Sequence, residues 1–298
     1  MNGRTKGLLL GVTGEAAYGT NPLFALPLYS LGLTFNDVLF YRYLFAIVIY
    51  GLWTTFYKKV SLKLSFKEAG VLLPLGLTFA VSSVTLFASY NYMDVGVAST
   101  LLFVYPIMVA VIMTVFFKEK MTRSTVLAII LTSAGVWLLY NGKADETLNM
   151  TGIVLIFFSA LSYAVYMVAI KKVPTLQKMN DAKLTFYVMT FGGLLFVGQA
   201  LTGQGIAVIK TPFEFGCIVG LAVFPTIVAL ETITVAIRLI GPTITAILGA
   251  FEPLTALLIG VFVFNEQMTP RIVCGILLIL IAVTGVVVSA EKSKAQNK

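Results

Sequence analysis

Ten stretches of mostly apolar residues, joined by short polar links, constrain this chain more than any other feature. A helix rises 1.5 Å per residue, so about 20 apolar residues cross the hydrocarbon core of a bilayer. The stretches run at about 7–29, 35–57, 68–90, 96–117, 124–140, 151–171, 184–202, 214–237, 242–264 and 271–290. The short links make neighbouring helices antiparallel. A large soluble α-protein would show polar helix faces, and most of these stretches have none. Only 11% of residues are charged, where soluble domains carry about a quarter. The expected fold is an all-α polytopic membrane protein with ten transmembrane helices. Arg4 and Lys6 precede the first run without a small-residue cleavage site, so that run is expected to be a retained helix.

Lysine and arginine set the direction. With the N-terminus inside, the inner segments hold Arg4 and Lys6, then Lys58, Lys59, Lys63 and Lys67, then Lys118, Lys120 and Arg123. They also hold Lys171, Lys172, Lys178 and Lys183, then Arg238, and finally Lys292, Lys294 and Lys298. That makes 17, against Lys143, Lys210 and Arg271 outside. The asymmetry places both termini in the cytoplasm, with the bilayer in question a plasma (bacterial inner) membrane. It also accounts for the net charge of +8 without nucleic acid as a partner.

The chain repeats itself once. FFKEKMT (116–122) matches VFNEQMT (263–269), and on the same offset of 147 Tyr105-Pro106 falls on Glu252-Pro253. Upstream the offset is 145: Gly7 meets Gly152, Tyr18 meets Tyr163, and Gly96 meets Gly241. The expected halves are 1–145 and 146–298. Five spans per half is an odd number, so the halves enter the membrane in opposite directions. Such inverted repeats meet around a site near the midplane and rock to expose it to each side in turn.

The Arg42-Tyr43 pair, TLLFVYPIMVAVIMTVFFKEK (100–120) and GPTITAILGAFEPLTALLIGVFVFNE (241–266) make the chain resemble the EamA-type transporters of the drug/metabolite transporter superfamily. The resemblance covers nearly the whole chain. It implies two five-helix repeats and transport of small metabolites, often export. It also implies that spans 1, 3, 4, 6, 8 and 9 border a central cavity. The Glu-Pro of the ninth span recurs in the family, whereas positions matching Glu15 and Glu231 are normally small or apolar there.

Glu15, Glu231 and Glu252 lie well inside spans. A charge at the bilayer centre costs about 3 kcal/mol on insertion scales, so such residues face a cavity or a partner. Counting from the inner ends, Glu15 lies about 12 Å deep, Glu231 about 10 Å and Glu252 about 15 Å. Arg42 is the one basic residue well inside a span, and its guanidinium is placed to reach Glu252. One arginine cannot neutralise three glutamates. At least one is therefore expected to be protonated, hydrated or awaiting a cation, which suits protons as the coupling ion. For Glu15 and Glu231, a lock between helices or an introduced substitution is the alternative. Glu15 and Glu231 stand at similar depths, which raises the question whether they meet across the cavity with a proton or a cation between them.

Pro22, Pro106, Pro225 and Pro253 each free the carbonyl four residues earlier, at Tyr18, Leu102, Leu221 and Gly249, and are candidate hinges. Tyr18 follows Glu15 by three residues on one helix face, and Asn21 precedes the first of these prolines. Tyr18, Tyr105 and Tyr163 sit too deep for an interfacial belt and would suit an organic cation, or else pack the bundle. Glu119 and Glu266 end the fourth and ninth spans and read as caps for the helices that follow. Gly192-Gly193 and Gly275 permit close helix contact.

The absence of histidine excludes His-based catalysis and most zinc sites. Two cysteines inside apolar runs make no disulfide framework. No metal, cofactor or ATP motif is present. The leading reading is a proton-coupled secondary transporter that exports a small organic metabolite, such as an amino acid or amine, as a monomer or homodimer. A membrane-embedded enzyme or a non-transporting scaffold is the alternative.

Overall fold

The computed structural model describes residues 2–89, 91–92, 98, 101–139, 149–202, 206–264 and 268–295 of the 298. The boundary expected between residues 145 and 146 lies outside them. Every regular element among the described residues is helical. In chain order these are α1 (Gly3–Tyr18), α2 (Asn21–Ser30), α3 (Phe35–Leu52, continued by a π-helical turn, Trp53–Tyr57) and α4 (Phe66–Ser89). Next come α5 (Tyr105–Phe117), α6 (Arg123–Leu139), α7 (Met150–Lys172), the short α8 (Pro174–Lys178) and α9 (Asp181–Thr202). The last are α10 (Pro212–Ala222), a π-helical turn (Val223–Val228), α11 (Ala229–Ile240), α12 (Pro242–Leu248), α13 (Phe251–Phe264) and α14 (Pro270–Ala295).

Among the described residues, five helical stretches are long and apolar enough to cross a membrane unaided: Phe35–Tyr57, Phe66–Ser89, Met150–Lys172, Pro212–Ile240 and Pro242–Phe264. Tyr105–Phe117, Arg123–Leu139 and Pro270–Gly285 are shorter apolar helices. The run expected at 7–29 is two helices, broken at Gly19-Thr20. The outside of the bundle is greasy: Phe56, Phe116 and Phe262 are each at least 74% exposed. In water that would be a defect, and against lipid tails it is what the surroundings require.

The expected halves interleave rather than stand apart. α1 packs on α11, α4 on α7 and α9, and α6 on α14. Glycine lets the last two crossings close. A Cβ on Gly275 would come within 2.7 Å of the Gly135 carbonyl oxygen, and one on Gly192 within 3.1 Å of that of Gly76. The main core runs through the centre and includes Tyr43, Tyr50, Phe79, Tyr105, Tyr166 and Met167.

Candidate functional site

The four prolines mark where the helices stop being regular. Pro22, at the second position of α2, leaves the Tyr18 carbonyl without its helical donor, and the Asn21 side-chain amide donates to it at 2.8 Å. Pro225 lies in the π-helical turn and frees the Leu221 carbonyl, which accepts the Thr226 hydroxyl at 2.7 Å. Pro253 frees the Gly249 carbonyl, which the Glu252 amide takes at 3.0 Å across the break between α12 and α13. Pro106 is the second residue of α5, after a turn at Phe103-Val104. Spans that look continuous in sequence are therefore broken in their middles, which a bilayer tolerates only where protein or a cavity satisfies the backbone.

The breaks meet. Gly19 lies against the backbone carbonyl of Glu252, close enough that any side chain there would clash. The Tyr105 hydroxyl lies against Gly249 in the same way. Its ring stands edge-on to Tyr163, centroids 4.9 Å apart. Above this junction is a cavity of about 360 Å³. Tyr18, Asn21, Pro22, Arg42, Tyr105, Glu252 and Pro253 line it, with Tyr29, Phe87, Phe103 and Phe264 among its aromatic walls.

Arg42, from α3, is 5% exposed and held on three sides. Its Nε donates to Thr226 Oγ1 at 2.6 Å, Nη1 to Asn21 Oδ1 at 3.1 Å and Nη2 to the Pro225 carbonyl at 2.8 Å. The guanidinium also lies 5.5 Å from the Tyr18 ring centroid. It forms no ion pair with Glu252, contrary to the expectation from sequence; three of its five N–H donors hold it toward Thr226, Asn21 and Pro225 instead. Opposite charges thus share one cavity without neutralising each other by contact.

The three intramembrane carboxylates have three different fates. Glu252 faces the cavity. Glu15 is fully buried outside the cavity lining, and neither of its oxygens receives a hydrogen bond. The helix that carries it, α1, packs on α13, which carries Glu252. Glu231 does not line the cavity. It is ion-paired with Lys58, whose ammonium sits 4.3 Å from the Trp53 ring centroid. The meeting of Glu15 and Glu231 that similar depth suggested does not occur: depth follows from residue count, but the direction a side chain faces follows from packing.

The Lys58–Glu231 pair belongs to a belt at one end of the bundle. Lys183 pairs with Glu68 at 2.7 Å, and Arg238 pairs with Asp181 while donating to the Met179 and Leu176 carbonyls. Glu119 lies 3.6 Å from Lys172 rather than capping α6. The cap on that helix is Thr122, whose hydroxyl accepts from the Thr125 amide at 3.2 Å. Glu266 lies outside the described residues. Sequence reasoning missed Thr226, although a hydroxyl directly after Pro225 is well placed to take the carbonyl that the proline frees.

Residues 5–141 and 150–288 each match the EamA-like transporter family. An "Uncharacterized transporter YwfM" of Bacillus subtilis is 23% identical over 63% of this chain and 63% of its own length. An "Uncharacterized transporter" of Archaeoglobus fulgidus is 28% identical over 61% of this chain and 63% of its own. This chain thus spans less than two thirds of either relative. A chain of known crystal structure superposes with a TM-score of 0.81 at 16% identity, covering 97% of this chain and 99% of that one, a likeness of fold alone. With the family matched twice over helices that bracket one cavity, the chain belongs to the EamA-like transporter family.

Proposed function

We propose that this protein is a secondary active transporter that exports a small organic solute in exchange for protons, by alternating access between two halves, 1–145 and 146–298. One observation carries the reading: a cavity at the junction of broken helices in which Glu252 and Arg42 present opposite charges without pairing. Its volume falls in the ordinary range of small-molecule sites, about 300–1,000 Å³. A carboxylate and a guanidinium among aromatic walls suit an amino acid, whose ammonium and carboxylate would take one each. An amine at Glu252 alone fits the same walls.

The belt of ion pairs lies at the end rich in lysine and arginine, which the charge asymmetry assigns to the cytoplasm of a bacterial inner membrane. The cavity is lined by residues from the opposite halves of these spans, which supports reading this conformation as outward-facing. Pro22, Pro106, Pro225 and Pro253 are where the helices yield as the cavity changes sides, and Tyr163, outside the lining, backs Tyr105.

Purified protein in liposomes tests the reading, with a panel of amino acids and amines and an imposed pH gradient. Wild type is expected to accumulate at least one of them, and Glu252→Gln to lose at least about tenfold in that flux, as expected when a charge-assisted contact worth about 1.5–3 kcal/mol is removed. Chemical turnover without flux would overturn the transporter reading in favour of a membrane-embedded enzyme.

A further inference from the structure

Glu15 is the group that a solute cavity does not explain. It shares the buried side of α1 with Gly11 and Gly14, beside a seam with α11 so tight that a Cβ on Gly14 would meet Ile233 at 2.7 Å. It is 0% exposed, and neither carboxylate oxygen has a donor. The Tyr105 hydroxyl, also buried, is likewise unpartnered.

The surroundings offer no compensating charge. α13 brings Glu252, α5 and α7 bring Tyr105 and Tyr163, and α1 itself brings Tyr18. α11 carries Glu231 and Arg238, which are engaged with Lys58 and Asp181. The turn Val223–Val228 and helix α12 carry no titratable side chain. Arg42 is committed to Thr226, Asn21 and the Pro225 carbonyl. An ionised carboxylate without donors in such a place costs far more than a neutral one. Two neighbouring carboxylates cannot both be bare charges. Glu252 reaches the cavity and therefore water, and Glu15 does not.

We propose that Glu15 is a proton-binding site separate from the solute cavity, which holds its proton while buried as here and exchanges it when the two halves move and admit water to it. This rests on the transporter reading and divides its labour: one carboxylate carries the coupling proton, and another meets the solute. The proton leaves Glu15 to water admitted from one side of the membrane, and returns from water on the other.

Infrared spectroscopy of the purified full-length protein tests this with the proton itself as ligand. Wild type is expected to show a protonated-carboxyl band at neutral pH that Glu15→Gln loses and Glu252→Gln keeps. Glu15→Asp should keep the band at a shifted frequency, which preserves the test if the glutamine variant does not fold. Exchanging potassium for sodium at constant pH should leave the band alone. A wild-type spectrum without the band, a band undiminished in Glu15→Gln or unshifted in Glu15→Asp, or a band abolished by sodium overturns the proposal. A Glu15 band in a protein that moves no solute sinks the transporter reading and leaves the proton site standing, whereas solute flux without the band does the reverse.

Discussion

Helices α1 and α7 hold equivalent places in the two repeats, and each buries the same face. In α1 that face is Gly7, Gly11, Gly14 and Glu15; in α7, 145 residues on, it is Gly152, Ile156, Ser159 and Ala160. α1 lays this face on α11 and α7 lays it on α4, which are themselves equivalent helices. The polar groups in the two seams are treated differently. The Ser159 hydroxyl donates to the Ser82 carbonyl at 2.7 Å, so the polar group at this position of α7 is partnered, whereas Glu15 has nothing. α7 is also one continuous helix of 23 residues, while its counterpart breaks after Tyr18. Between these two equivalent helices, the unpartnered carboxyl and the break after the tyrosine thus fall on α1 alone. The comparison separates what holds the bundle together from what is held ready to change.

Making the two seams alike is the severest way to break that comparison. Ala160→Glu puts a carboxylate on α7 where Glu15 stands on α1, without a glycine beside it to make room. Ala160 is fully buried, and we expect a loss of about 3 kcal/mol or more, seen as a collapse of the monodisperse fraction on size exclusion. Gly14→Val comes next. Its side chain would strike Ile233 and Thr232, and overpacking of this kind costs about 1–3 kcal/mol, read as a lower melting temperature in detergent. The smallest effect should have the opposite sign. Glu15→Met removes a buried polar group that has no partner and keeps its length, so the protein should become more stable by about 1 kcal/mol, with a correspondingly higher melting temperature. A lower melting temperature would mean that the carboxyl group contributes to the folded state of this seam.

The breaks were legible in the residues. Proline removes a donor wherever it stands, so the freed carbonyls of Tyr18, Leu221 and Gly249 follow from the residues alone. What takes each carbonyl was less legible. Asn21 and Thr226 are close in sequence to the prolines they serve, yet that they also anchor Arg42 depends on α3 lying beside α2 and the Pro225 turn. Depth in the membrane was readable from residue counts; direction around the helix axis was not. That is why Glu231, at nearly the depth of Glu15, faces Lys58 instead. The apolar run at 7–29 gave no sign of being two helices beyond Pro22 itself, because hydropathy is blind to a two-residue break.

The glycine crossing of α6 and α14 has a mechanical meaning. Each is the last helix of its repeat, and their backbones touch at Gly135 and Gly275 with no side chain between them to slide or compress. Contact this close tolerates rotation about the touching point far better than translation across it. If the two halves swing, this crossing is the fulcrum, and the longest travel falls to the helices on the far side of the bundle from it.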